Sequence, residues 1–154
     1  MNPRGFALYG GIIMLVIGAL ALVAPGPTEN LPALLVETSY GWFLNTFAMN
    51  IYNKVALIAF GVFGIWAAKA KGRELPSSIF WAQALFVVMG VLMVLGLFTE
   101  TSTLGGYWPL FGANAGLHAF VAIVGAYYGF ALSSKVHKPT KTELDYRTPL
   151  QPRI

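Results

Sequence analysis

The chain contains no cysteine. That removes disulfides, thiolate nucleophiles, iron–sulfur clusters and cysteine-based zinc sites. Charge is also scarce: 10% of the 154 residues are Asp, Glu, Lys or Arg, against roughly 25% in an ordinary soluble domain. A water-soluble globule of this size needs more polar surface than that. A soluble enzyme, a disordered chain and a conventional nucleic-acid binder are therefore excluded. None of the 6 acidic residues falls within a long apolar run, where a proton pump would want one. No HExxH, no P-loop and no Ser/His/Asp arrangement occurs. Only 2 histidines are present, His118 within an apolar run and His137 beyond the last one, so the paired axial ligands of a diheme cytochrome are missing.

What is present in excess is apolar: 56% of the residues are hydrophobic. A spanning helix needs about 20 mostly apolar residues. Four stretches qualify, at about 6–24, 47–68, 79–98 and 113–132. Each is apolar on all sides, as a lipid-facing helix is. The expected fold is all-α, a four-transmembrane-helix bundle occupying residues 1–132, followed by a polar tail over 133–154 punctuated by Pro139, Pro149 and Pro152. The first stretch is longer than the roughly 7–15 apolar residues of a signal peptide and ends in Pro25-Gly26-Pro27, so it reads as a retained helix.

The basic residues sort to one side. Arg4 precedes the first span; Lys69, Lys71 and Arg73 lie between the second and third; Lys135, Lys138, Lys141, Arg147 and Arg153 follow the fourth. The two other connections carry Glu29, Glu37 and Glu100 and no Lys or Arg. Positive residues stay cytoplasmic, so both termini are expected in the cytoplasm of an integral, multi-pass protein of a bacterial inner or thylakoid membrane. The remaining basic residue, Lys54, falls inside the second span near its outer end. Either its stem snorkels to the interface or its ammonium pairs with Glu37 or Glu100.

A shift of 64 residues lays the second span on the fourth: Phe47 on Phe111, Asn50 on Asn114, Lys54 on His118, Gly61 on Gly125, with Gly41 on Gly105 upstream. This suggests a repeated helical hairpin. Small residues let lipid-embedded helices approach closely. Gly61, Gly64, Gly125 and Gly129 are the candidates, facing either the bundle's own helices or another subunit. Tyr40, Trp42, Phe43, Tyr107, Trp108 and Phe111 crowd the outer connections, where flat interfacial turns or helices are expected.

The one polar constellation is Asn50, Asn53 and Lys54 with Asn114 and His118. Residues four apart share a helical face, so these groups form one layer if the two spans face each other. Interhelical hydrogen bonds, worth about 0.6–2 kcal/mol each, are one reading. A polar ligand or ion site is another, and ligation of a pigment or metal by His118 is a third; no other metal site is expected.

The Pro-Gly end of the first span, the Phe-x-x-Asn opening of the second and the run Pro109-Leu110-Phe111-Gly112-Ala113-Asn114-Ala115-Gly116-Leu117-His118 resemble the small four-helix bacterial membrane proteins catalogued as domain of unknown function 4383. The resemblance covers about residues 4–132. It implies topology and no activity. That family usually carries histidines in its second span; the matching places here are Asn53 and Leu57, and His118 alone carries over.

Two functions remain open. One is a non-catalytic accessory or scaffold subunit of a larger membrane complex, with other membrane subunits as partners; a photosynthetic version would hold chlorophyll or another porphyrin at His118. The alternative is a small-molecule or ion-handling protein that uses the Asn/Lys/His layer. Neither involves nucleic acid.

Overall fold

A computed structural model describes residues 1–136, the last two by their backbone alone. Four main helices run back and forth. Helix α1 is Pro3–Val23, α2 is Ile51–Lys69, α3 is Glu74–Gly96 and α4 is Ala113–Ala126. A five-residue π turn, Tyr127–Ala131, continues α4, and a last short helix, α5, is Ser133–Val136. Between α1 and α2 lies a two-stranded antiparallel hairpin, β1 (Gly41–Phe43) and β2 (Phe47–Met49), in which Trp42 faces Ala48. Of the helices, α1, α2 and α3 are long and apolar enough to cross a membrane. The fourth is shorter, 14 α-helical residues before the π turn.

The helix ends have identifiable causes. Asn2 caps α1 by accepting from the Gly5 N–H, with Pro3 in the first turn, where its missing donor costs nothing. Asn50 and Asn53 form a reciprocal capping box at the start of α2. At the other end of α2 the Arg4 guanidinium donates to the Ala68 carbonyl at 3.0 Å, a cation on carbonyls that have no helical partner. The π turn arises where the Gly129 carbonyl leaves the helical ladder: Gln83 Nε2 of α3 donates to it at 3.0 Å and Ser133 Oγ at 2.7 Å, while the Leu132 N–H reaches back to Tyr127.

Two antiparallel hairpins, α1/α2 and α3/α4, make up the bundle, and glycine sets the contact within each. A Cβ on Gly61 would lie 2.5 Å from Leu15 N and 2.8 Å from the Gly11 carbonyl. A Cβ on Gly125 would lie 2.8 Å from the Ala82 carbonyl. Backbone meets backbone at both places, and no larger residue fits. Gly64 receives Trp81 and Gly129 receives Gln83. All four glycines therefore face the chain's own helices.

Trp81 of α3, fully buried, joins the hairpins. Its indole N–H donates to the Phe60 carbonyl at 3.0 Å, and its ring tilts against Phe6, 5.3 Å between centroids. Phe6 in turn stacks on Tyr128 at 4.4 Å. Ala7, Ala67, Ala82, Leu85 and Met89 complete this core. A second, smaller core of Leu34, Tyr40 and Ala48 lies beneath the connections at the opposite end.

Two expectations need correction. The first connection is not a flat interfacial turn or helix; over 41–49 it is a β-hairpin, closed by a turn in which Leu44 and Asn45 both take positive φ. Strand pairing satisfies main-chain groups that would otherwise be exposed at the mouth of the bundle. The second span starts at Ile51 rather than near Phe47, because β2 uses Phe47–Met49. Most of the expected tail, 137–154 with His137 and the last basic residues, lies outside the described residues.

Candidate functional site

The loop end of the bundle holds the five polar side chains of the expected layer, in two groups that share Asn114. The first group fastens the connections. Asn50 Nδ2 donates to the Val36 carbonyl at 3.2 Å and to the Tyr107 carbonyl at 2.8 Å. Asn114 Nδ2 donates to the Ala48 carbonyl at 2.7 Å and to the Pro109 carbonyl at 2.9 Å. Lys54, only 1% exposed, places its ammonium on Ser39, 2.6 Å from the carbonyl oxygen and 2.8 Å from Oγ. Of the two roles expected of Lys54, pairing with Glu37 or Glu100 is not observed: its ammonium runs to the connection and bonds Ser39 instead. The reason is the folded connection, which turns back over the end of α2 and presents Ser39 to the ammonium before a carboxylate can be reached. A buried ammonium needs such partners.

The second group lines a recess. His118, 9% exposed, shares it with Asn53, Asn114 and Trp108; Met14 and Phe60 are among the apolar residues that close it. The recess is about 80 Å³. His118 Nδ1 and Trp108 Nε1 are both buried with no hydrogen-bond partner among the described residues. Buried polar nitrogens normally have one. No residue lining the recess carries a formal charge. An engineered apolar cavity of roughly 150 Å³ admits benzene; the recess itself is smaller. Among the described residues no group of three or more His, Asp or Glu side chains could hold a metal.

Trp108 went unrecognised because an aromatic next to an apolar run reads as a headgroup anchor. Ser39 gave no signal, being one serine in a polar connection. Gln83 was legible in principle: it is the lone amide within the third apolar run, and such a group in lipid must find a partner.

The repeat seen in the sequence has a structural counterpart. Asn50 and Asn114 both donate twice to main-chain carbonyls, and Gly61 and Gly125 both seat the outgoing helix of their hairpin. Lys54 and His118 diverge, the one bonded to Ser39 and the other set in the recess.

The family described as Domain of unknown function (DUF4383) matches residues 4–131. The chain belongs to that family. Its matched region takes in all four main helices and both groups of polar residues. The family description carries no activity. No curated protein and no solved structure matches the chain.

Proposed function

We propose that this DUF4383 member is a non-catalytic, multi-pass membrane bundle that serves as an accessory or scaffold subunit of a larger membrane complex, with both termini cytoplasmic. The observation that carries this reading is the use made of its polar residues. Asn50, Asn114 and Lys54, which could have formed a reactive layer, are all bonded to the connections at the loop end. The result is a fixed cap from which Leu35, Leu44, Leu104 and Tyr107 project. A rigid surface with apolar protrusions suits contact with a partner better than turnover. The skew of Lys and Arg toward the terminal side supports the orientation.

Native electrophoresis of gently solubilised membranes tests the proposal. The chain should migrate in an assembly larger than itself, and a protease should reach Ser133 onward only from the cytoplasmic side. Migration as a lone monomer at every detergent level would overturn the subunit reading.

A second reading is favoured by a separate observation. The recess at His118 keeps two buried nitrogens without partners among the described residues, which supports the binding of a small molecule there rather than ion passage, since no charged side chain lines it.

A further inference from the structure

The recess at His118 does not stand alone. A larger apolar cleft of about 240 Å³ adjoins it, and Met14, Met49, Leu57, Leu117 and Val121 line both. The cleft exists because the two hairpins do not close on this side. Helices α1 and α4 do not pack along one another; α1 meets the fourth helix at the π turn, where Phe6 stacks on Tyr128. Above that stack Ile13 and Ile17 of α1 face Leu117 and Phe120 of α4 across the gap. Ile13 and Phe120 are 57% and 65% exposed, so the cleft opens on the apolar flank of the bundle, the flank that a bilayer would cover.

We propose that recess and cleft form one site for a single-chain lipid with a neutral hydroxyl head, entering sideways from the membrane. The inference rests on the small-molecule reading above and names its ligand class. Three features select that class. The cleft accepts a hydrocarbon chain, being lined by aliphatic and aromatic side chains. The recess is uncharged, so a carboxylate or phosphate head would lose its hydration with no cation to meet it; the Lys54 ammonium does not line it and is bonded to Ser39. Both nitrogens are met by a group that can accept and donate: the Trp108 indole is a donor only, and Nδ1 of a neutral imidazole accepts in one tautomer and donates in the other. A hydroxyl does both, and it is small enough for a recess of about 80 Å³.

The test uses the full chain in phosphatidylcholine nanodiscs and hexadecanol carrying a photoactivatable diazirine in its chain. Labelling is expected on Met14, Leu117, Phe120 or Val121. Excess plain hexadecanol should suppress it, whereas hexadecane and hexadecanoate should not. Trp108→Phe keeps the ring and removes the donor; His118→Leu removes the imidazole, which makes no hydrogen bond among the described residues. Each should weaken competition by hexadecanol about tenfold, the loss of roughly one buried hydrogen bond. Should one variant fail to fold, the other and the competition series in the natural chain decide. Equal suppression by hexadecane would mean a non-specific groove and would overturn the proposal. So would full retention of competition in both variants, since the recess would then hold water only. If propanol suppresses labelling as well as hexadecanol does, the lipid inference fails while the small-molecule reading stands.

Discussion

Asn50 and Asn114 clasp the two halves of the loop end to each other. Each amide donates once to the connection of its own hairpin and once to that of the other: Asn50 to Val36 and Tyr107, Asn114 to Pro109 and Ala48. They occupy equivalent positions of the two hairpins, so the clasp is reciprocal. In a bundle whose helices gain little from mutual apolar contact in lipid, four bonds of this kind weigh more than their number suggests.

Replacing either residue by alanine leaves carbonyls unpaired, buried ones at Asn114 and part-buried ones at Asn50. Asn114→Ala should cost about 1–3 kcal/mol, and Asn50→Ala at least as much, because it also removes the cap of α2. The two losses should not add, since both variants free the same pair of connections; a coupling of about 0.5 kcal/mol or more is expected. Denaturant titration of the four proteins of the double-mutant cycle in detergent micelles measures this. Strict additivity would mean that the two asparagines act separately.

Glycine substitution separates contact from composition. At Gly61 an added Cβ meets Leu15 N at 2.5 Å and the Gly11 carbonyl at 2.8 Å; at Gly90 it meets nothing within 4 Å. Gly61→Ala should therefore destabilise by about 1–3 kcal/mol through overpacking of backbone on backbone. Gly90→Ala should be neutral or stabilise by up to about 1 kcal/mol, as alanine is the better helix former. Thermal unfolding of the two variants side by side checks the contrast. A similar loss in both would place the effect in helix propensity and lipid contact rather than in α1–α2 packing.

The sequence made the helices readable because a spanning helix satisfies its own backbone and shows itself as an unbroken apolar run. The four runs, the glycines at the hairpin contacts and the polar layer followed from that one constraint. The β-hairpin over 41–49 did not, because strands of three residues carry almost no periodic signal and Leu44-Asn45 lacks the glycine that usually marks such a turn. Among the site residues, Asn50 and Asn114 were legible as polar groups at matching depth. The division between fastening residues and recess residues was not, since it depends on where Ser39 and Trp108 come to rest, which is decided by the folding of the connections.

Lys54 and Ser39 give the fastening a local test. Methionine has nearly the length of lysine without the charge, so Lys54→Met removes a buried ion along with its two bonds. The two changes oppose each other in global stability. Locally they do not: residues 37–41 lose bonds to a charged donor, worth about 1.5–3 kcal/mol. Amide hydrogen exchange should then speed up at Tyr40 and Gly41 far more than in the interior of α2. Uniform acceleration across the bundle would show that Lys54 supports the fold as a whole and not the connection. Unchanged exchange at both sites would show that Ser39 is held by the β-hairpin alone.

Tyr40 lies in the same connection, outside the spans, with its hydroxyl donating to the Pro32 carbonyl at 3.1 Å. Burial, with a smaller contribution from the nearby Glu37 carboxylate, raises its pKa from 10.0 to about 12. A phenol gains negative charge when it loses its proton, and both causes oppose that charge in the folded protein. The folded pKa is thus above the unfolded one, and the unfolded chain releases this proton first. Stability from Tyr40 is therefore complete below about pH 10 and is lost as the pH rises from there to about 12. Spectrophotometric titration should find a tyrosine that ionises late among the 7 in the chain, and Tyr40→Phe should abolish that late step. The same variant should flatten the alkaline fall in stability of the connection, read as protease cleavage within 28–46. An unchanged late step in Tyr40→Phe would assign it to another tyrosine and would remove the packing of Leu34, Tyr40 and Ala48 as its cause.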